Sequence, residues 1–437
     1  MFFTCIYGYM MLLYNIVINK STIVNDYEKI NTIKKYINMA GCICIKVVQW
    51  SLPRIKLLYP ESNLINELGT YYDDCNIHNI EYTNKIYKST FNEKISNKYT
   101  IIKLIGSGSV GQVYLIKDKN NKLFAMKVLH PNIDFEYFVF ILFYKIIGVF
   151  IDYKYYLPVD NLDDFIYGLK DQLDLNIEYN NNLKFKELYN NCELIKIPEI
   201  YKKSKNILIM EYFDKLKLNE LESVENIYKY NKYISILTLF IFNNAIYGFN
   251  HGDLHKGNYL INNGNKSGDY KLYVIDYGYC YFISEELFIV LFKLFNDTTE
   301  KSITSFYDYL LEYNSIINKE IIQLEYNTSI EEILKDPDVK HIVTCLINFT
   351  FKYNLILPSN LLNIILLFLN IEDLLPKYTR DPSNKSSWEL LNICESHNAF
   401  EYYTDFINKN NYNDFKNYEK TIFDNNFNKF ENFKKYL

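Results

Sequence analysis

Four short segments in a fixed order constrain this chain more than anything else in its 437 residues. The first is a Gly/Ser-rich run, Gly106-Ser-Gly-Ser-Val-Gly111, flanked by β-branched, alternating stretches. Tyr99–Ile105 and Gln112–Ile116 therefore read as two strands joined by a turn. A polar turn at Asp118–Lys122 leads to a third strand, Leu123–Leu129, and that strand carries the second segment, Phe124-Ala-Met-Lys127. The third segment is the loop His251-Gly-Asp-Leu-His-Lys-Gly-Asn258. A short strand (Tyr259–Ile261) and a Gly/Asn hairpin (Asn262–Asp269) separate it from the fourth, Tyr273-Val-Ile-Asp276-Tyr-Gly278.

Taken singly, each segment has a plain structural explanation. The glycine run could be a hairpin turn, Lys127 an edge-strand lysine facing water, and the other two a surface loop and a strand end. Together they distribute the electrostatic tasks of phosphoryl transfer, which needs positioning and charge neutralisation more than covalent chemistry. The backbone of Gly106, Ser107, Gly108, Ser109, Val110 and Gly111 is expected to approach phosphates. A lysine in a strand core is costly unless paired, and Lys127 is expected to contact a phosphate. The Asp253–Asn258 spacing is that of a kinase catalytic loop: Asp253 orients or deprotonates a hydroxyl, and the Asn258 carbonyl oxygen can ligate Mg2+. Asp276, at the end of an apolar strand, is the second expected Mg2+ ligand. His251 and His255 are expected to order the loop rather than to catalyse. The apolar strand Ile207–Met210 followed by Glu211-Tyr212-Phe213 reads as a hinge whose backbone binds adenine. ATP (or ADP) with Mg2+ is the expected cofactor pair.

The expected fold is α+β: a bilobal protein-kinase-like fold with a small β-sheet N-lobe carrying inserted helices, a helical C-lobe and a helical N-terminal extension. The expected boundaries are an apolar helical segment at 1–40, a helical extension at 41–97, an N-lobe at 98–213, a C-lobe at 214–380 and a tail at 381–437. The helical stretch from about 225 to 380 is broken by loops at 251–280.

Composition removes several alternatives. Lys and Arg number 47 against 52 Asp and Glu, a formal charge of −5, so no basic face for nucleic acid is expected. The eight cysteines show no CxxC pair and no zinc spacing with histidine, which fits a reducing intracellular compartment. Met1–Ile18 is apolar but carries Thr4, three tyrosines and Asn15, and reads as a packed or membrane-peripheral helix rather than a spanning one. The apolar runs Tyr137–Ile151 and Leu355–Ile371 read as buried amphipathic helices.

Several local segments resemble the UbiB/ADCK (aarF-domain) atypical kinases, over about 40–375. Ser109-Val-Gly-Gln-Val113 resembles that family's S-I-G-Q-V, and Ala125-Met-Lys-Val-Leu-His-Pro131 its A-V-K-V-x-x-P. Gln172-Leu-Asp174, Glu178, Asn182 and Phe185 resemble E-x-D…E-x-x-N…F, and Lys46-Val-Val-Gln49 resembles K-x-G-Q. The resemblance implies that Lys127 pairs with Glu178 as well as with a phosphate. It implies that Lys46 and Gln49 fold over the active site, with Gln172 and Asp174 as nearby partners. It also implies kinase or ATPase activity linked to ubiquinone or other lipid metabolism, and a lipid or membrane surface as a partner. Three positions depart from the pattern: Val48 replaces a glycine, Gln172 replaces a glutamate that would face Lys46, and Gly108 stands where an alanine is usual. A small-molecule phosphotransferase of the aminoglycoside or choline type, whose loop is similar to His251–Asn258, is the alternative enzyme. A non-catalytic nucleotide-binding scaffold is the alternative outside catalysis.

Overall fold

The computed structural model describes residues 2–374, apart from 19–26, 59–66, 70–76, 151–161, 191, 193, 222–229, 263–269, 295–298, 316–322, 337, 338, 354 and scattered positions within 231–293. The expected tail at 381–437 lies outside the described residues, as does most of the Asn262–Asp269 hairpin. In chain order the elements begin with α1 (Phe2–Ile18), α2 (Tyr27–Ala40), α3 (Cys42–Leu58) and α4 (Ile80–Phe91). Strands β1 (Tyr99–Ser107), β2 (Gly111–Asp118) and β3 (Leu123–Leu129) follow, then α5 (Ile133–Phe150), α6 (Leu162–Asp171) and α7 (Leu175–Leu188). Strands β4 (Ile195–Lys196), β5 (Ile200–Lys203), β6 (Ile207–Glu211), β7 (Phe249–His251), β8 (Tyr259–Ile261), β9 (Leu272–Val274) and β10 (Cys280–Phe282) come next. The described helices beyond them are α8 (Glu300–Tyr313), α9 (Gln323–Lys335), α10 (Val339–Lys352) and α11 (Ser359–Leu374). This is an α+β chain with small sheets and many helices.

The chain divides into two compact units. The first comprises residues 1–157, 162–179 and 199–212. Its centre is a five-stranded sheet in the order β1-β2-β3-β6-β5, with every pairing antiparallel. Side chains on a strand alternate between faces, so β3 feeds two cores. Phe124, Met126 and Val128 pack with Tyr87 of α4 and with Ile207 and Ile209 of β6. Ala125 and Leu129 point the other way, packing with Leu175 at the start of α7 and with Leu208 and Met210. The expected N-terminal extension clusters with this sheet. Its helix α3 packs on α6 through Trp50 and Phe165, stacked with ring centroids 3.8 Å apart.

Two readings of this unit need correction. The Gly/Ser turn is tighter than 106–111: β1 runs through Gly106 and Ser107 and β2 starts at Gly111, which leaves Gly108–Val110 as the turn. Backbone pairing of Ser107 with Gln112 and of Gly106 with Val113 extends the ladder into the glycines. The run at Tyr137–Ile151 is not a buried helix. On α5, Phe138, Leu142 and Ile146 are 63%, 53% and 48% exposed. Their spacing puts them on one face, opposite the buried Phe140. Helix α1 is likewise one-sided: Cys5, Tyr9 and Leu12 are buried while Phe3, Tyr7, Met10 and Tyr14 are exposed. Among the described residues no helix is long and apolar enough to cross a membrane.

The second unit comprises residues 158–161, 180–198 and 213–437. Its described part holds a three-stranded sheet (β4-β9-β8), a two-stranded one (β10-β7) and helices α8–α11. Thr299 and Ser302 form a capping box at the start of α8. Phe306, Tyr307, Leu310, Ile333, Leu346 and Leu361 make a buried helical core. The run expected at Leu355–Ile371 forms α11 with Leu361, Leu362, Ile364 and Ile365 buried. Pro358 stands just ahead of that helix, where its lack of an N–H costs nothing.

Candidate active site

In the first unit, Lys127 lies on the central strand β3, opposite Val113 of β2 and Leu208 of β6. Alternation places it on the Ala125/Leu129 face, toward the start of α7. There its Nζ meets Glu178 Oε2 at 2.7 Å. Both side chains are buried, Glu178 with only 3% exposure. Glu178 stands in the first turn of α7, where the unpaired backbone N–H groups favour an anion. The Asp174 carboxylate just ahead of that helix accepts from the Asn176 backbone and side-chain N–H groups, both at 2.9 Å. Asp174 therefore caps α7. Gln172 is buried, and its Nε2 has no hydrogen-bond partner among the described residues.

The turn Gly108–Val110 is pinned from two sides. Ser109 Oγ donates to Gln49 Oε1 of α3 at 2.9 Å. His130, immediately after β3, donates its backbone N–H to the Val110 carbonyl at 2.9 Å, and its Nε2 lies 2.9 Å from the Gly108 carbonyl oxygen. Gly111 has a packing reason to be glycine: a Cβ there would stand 2.6 Å from the Val128 carbonyl oxygen. Lys46 lies on α3 one turn before Gln49. Glu211 ends β6 and donates its backbone N–H to the Glu199 carbonyl at 2.8 Å.

The second unit carries the acidic residues. Asp253 lies in the loop between β7 and β8, and Asp276 in the loop between β9 and β10. His251 organises both loops. Its Nε2 donates to the Asp276 carbonyl, and its Nδ1 accepts the Asp253 backbone N–H at 3.2 Å. One nitrogen donates and the other accepts, so the ring is neutral. Complete burial holds its pKa below the usual histidine value, and the Asp276 backbone contact opposes that only in part. Asn258 Nδ2 donates to the Asp253 carbonyl at 2.7 Å. With the amide nitrogen committed, the polar atom that remains on Asn258 is an oxygen, the ligand type a hard divalent cation takes. Asp276 Oδ1 accepts the Gly278 N–H at 2.9 Å, an Asx turn that fixes the carboxylate. Phe185, Tyr277 and His251 form an aromatic cluster behind these loops, and Asn181 Nδ2 holds the Tyr277 carbonyl at 3.0 Å. Asn182 Nδ2 donates to the Pro198 carbonyl at 3.2 Å. Phe213 packs on Tyr273, with ring centroids 4.5 Å apart.

Gln112 belongs to the S-V-G-Q-V segment, but residue types and spacing do not single out Thr83, Tyr114 or His78, which with Gln112 form a buried polar cluster around His130. No local pattern marks them. Thr83 and His78 come from the segment around α4, and only folding brings them to β2.

Comparison with known proteins fits this geometry. The model of the ABC1 atypical kinase-like domain matches residues 70–309, more than half of the chain. A probable protein kinase UbiB of Histophilus somni is 23% identical over 237 residues, covering 51% of this chain and 43% of that protein. A probable serine/threonine-protein kinase, abkC, of Dictyostelium discoideum is 26% identical over 247 residues, covering 52% and 34%. The chain thus spans less than half the length of these relatives. Relatives from Saccharomyces cerevisiae and Arabidopsis thaliana are named as mitochondrial and chloroplastic proteins. Among solved structures, the Rv3197–erythromycin complex of Mycobacterium tuberculosis aligns with a TM-score of 0.42 at 16% identity, covering 54% of this chain and 61% of that one. The extent of the domain match decides the classification: this chain belongs to the ABC1 atypical kinase-like family.

Proposed function

We propose that this protein binds ATP with Mg2+ and catalyses phosphoryl transfer, either to an acceptor hydroxyl or to water. The observation that carries this reading is the buried Lys127–Glu178 ion pair on the central strand. Burying two charges is expensive, and a hydrophobic pair of similar size would serve stability as well or better. The pair is better accounted for as a device that holds one lysine head at a fixed place for a phosphate.

The remaining roles follow from each unit separately. The backbone of Gly106–Gly111 would approach the phosphates, and the hinge backbone around Glu211 and Phe213 would bind the adenine. Asn258 and Asp276 would hold Mg2+, which supplies charge neutralisation on the phosphate oxygens; a cation that keeps several waters needs only one or two such side-chain oxygens from the protein. Asp253 would orient the acceptor hydroxyl and take its proton. His251 would keep Asp253 and Asp276 in register without itself carrying charge. The contact from Gln49 to Ser109 would let α3 govern access to the turn, with Lys46, Gln172 and Asp174 as the related polar positions. Lipid-linked acceptors, including ubiquinone precursors, are the first class to test, then choline and aminoglycosides.

Thermal-shift titration with ATP and ADP, with and without Mg2+, tests the reading. Wild type should show a Mg2+-dependent rise in melting temperature that Asp276→Asn loses. Asp253→Asn should keep the shift and lose turnover by about a hundredfold or more. The absence of any nucleotide-induced shift in wild type would sink the proposal in favour of a scaffold. Unchanged turnover in Asp253→Asn would sink the role given to that residue.

A further inference from the structure

The buried polar cluster of the first unit fixes the positions of its protons. His130 Nε2 faces the Gly108 carbonyl oxygen at 2.9 Å, and a carbonyl can only accept. His130 therefore carries its proton on Nε2. In a neutral ring the other nitrogen is then bare, and His78 Nδ1, 2.9 Å away, must donate to it. That leaves His78 Nε2 as an acceptor for the Thr83 hydroxyl at 2.9 Å. Thr83 Oγ1, its proton committed, accepts from the Tyr114 hydroxyl at 3.0 Å. The Tyr114 oxygen in turn accepts from Gln112 Nε2. Gln112 cannot flip. Its Oε1 accepts the His78 backbone N–H at 3.0 Å, and its Nε2 also donates to the His78 carbonyl at 3.1 Å. All five side chains are buried, Gln112 and Thr83 completely. Burial disfavours a charged ring at both histidines, which is consistent with two neutral imidazoles.

We propose that His78 and His130 are positioning residues for the glycine turn, locked in complementary tautomers by a one-directional hydrogen-bond relay that runs from Gln112 through Tyr114 and Thr83 to the Gly108 carbonyl. The relay has one arrangement that satisfies every member. The opposite tautomer of His78 would set two lone pairs, and a charged His130 two N–H groups, against each other across the Nδ1–Nδ1 contact. Either would strain the contact that seats His130 against the Gly108 carbonyl. The link to nucleotide affinity rests on the phosphate-site reading above, whereas the tautomers themselves do not depend on it.

The test has two arms. In the full chain labelled with 15N-histidine, spectra correlating ring nitrogens with their protons at neutral pH should show a proton on Nδ1 of His78 and on Nε2 of His130. The reverse assignment at either ring overturns the relay, with no variant needed. In the second arm, Thr83→Val removes the hydroxyl at nearly constant volume. It leaves His78 Nε2 without its donor and should weaken Mg–ATP binding on the order of fivefold, one hydrogen bond's worth, while the His78 proton stays on Nδ1, where His130 holds it. Thr83→Ser keeps the hydroxyl and should restore the affinity, although it loses the methyl group that packing alone would need. Tyr114→Phe lies upstream of Thr83 and should leave the His78 tautomer in place. If wild type binds Mg–ATP and Thr83→Val binds it equally well, the positioning role is wrong. If the tautomers are as stated but wild type binds no nucleotide, the phosphate-site reading fails, and the positioning role with it.

Discussion

Replacing Lys127 by methionine tests the central feature of the first unit. The change leaves Glu178, 3% exposed, without the cation that stands 2.7 Å from its carboxylate. Methionine fills much the same volume, so the cost is electrostatic rather than a cavity. Removing one member of a buried ion pair costs about 3–5 kcal/mol, because the remaining charge is stranded. Replacing both, as Lys127→Met with Glu178→Leu, removes the stranded charge and should return stability to within about 1 kcal/mol of wild type or better. A double-mutant cycle should therefore show a coupling of at least about 3 kcal/mol. Trp50 reports on the first unit, and the second tryptophan, Trp388, lies outside the described residues, so Trp388→Phe gives a background with one reporter. With a urea slope near 2 kcal/mol/M, the single variant should lose about 1.5–2.5 M in its midpoint. Nucleotide binding should be lost in both the single and the double variant. A loss below about 1 kcal/mol in Lys127→Met would mean that Glu178 is not stranded, and would remove the argument that the pair exists for function.

Other outcomes follow from the same structure. Burial holds His78 at about 4, below the ordinary 6.5, and also lowers His130 and His251. The unfolded chain therefore binds more protons, so the stability these rings contribute is complete above about pH 6.5 and is lost as pH falls from there toward 4. His78 alone accounts for at most about 3 kcal/mol of that loss. Glu136, which lines the same cavity as the histidine pair with Lys35, Cys5 and Cys42, is pushed up by burial and opposes the trend. Melting temperature should still fall between pH 7.5 and 5.5; a flat profile would contradict buried neutral imidazoles. Gly111→Ala would press a Cβ to 2.6 Å from the Val128 carbonyl and should destabilise the first unit by about 1–3 kcal/mol in urea titrations. Gly41→Ala combines a φ of +102° with a Cβ 2.5 Å from the Glu136 carboxyl group. It should cost at least as much, and an unchanged midpoint would show that α3 does not start where described.

Much of this protein is legible along the chain. The strands around the glycine turn follow from β-branched alternation, and Leu123–Leu129 matches the third expected strand residue for residue. The order of glycine turn, strand lysine, Asp/Asn loop and Asp-aromatic-Gly is local information, because each segment carries its own spacing. The same spacing cannot say which face of a helix will find a neighbour. Tyr137–Ile151 has the apolar content of a buried helix, yet Phe138, Leu142 and Ile146 stay exposed, because α1 and α3 pack on only part of α5.

What only the tertiary structure decided is how distant polar groups satisfy one another. Glu178 stands 51 residues from Lys127, and the two meet because strand alternation and the start of α7 bring both to one face. Gln49 reaches Ser109 across 60 residues, and His78 reaches His130 across 52. Buried polar atoms must find partners or carry a desolvation cost, and the partner is set by packing, which no local propensity encodes. The sequence by itself therefore determined the chemistry the chain can offer, and the folded structure decided which of those groups are held, neutral or charged, in place to offer it.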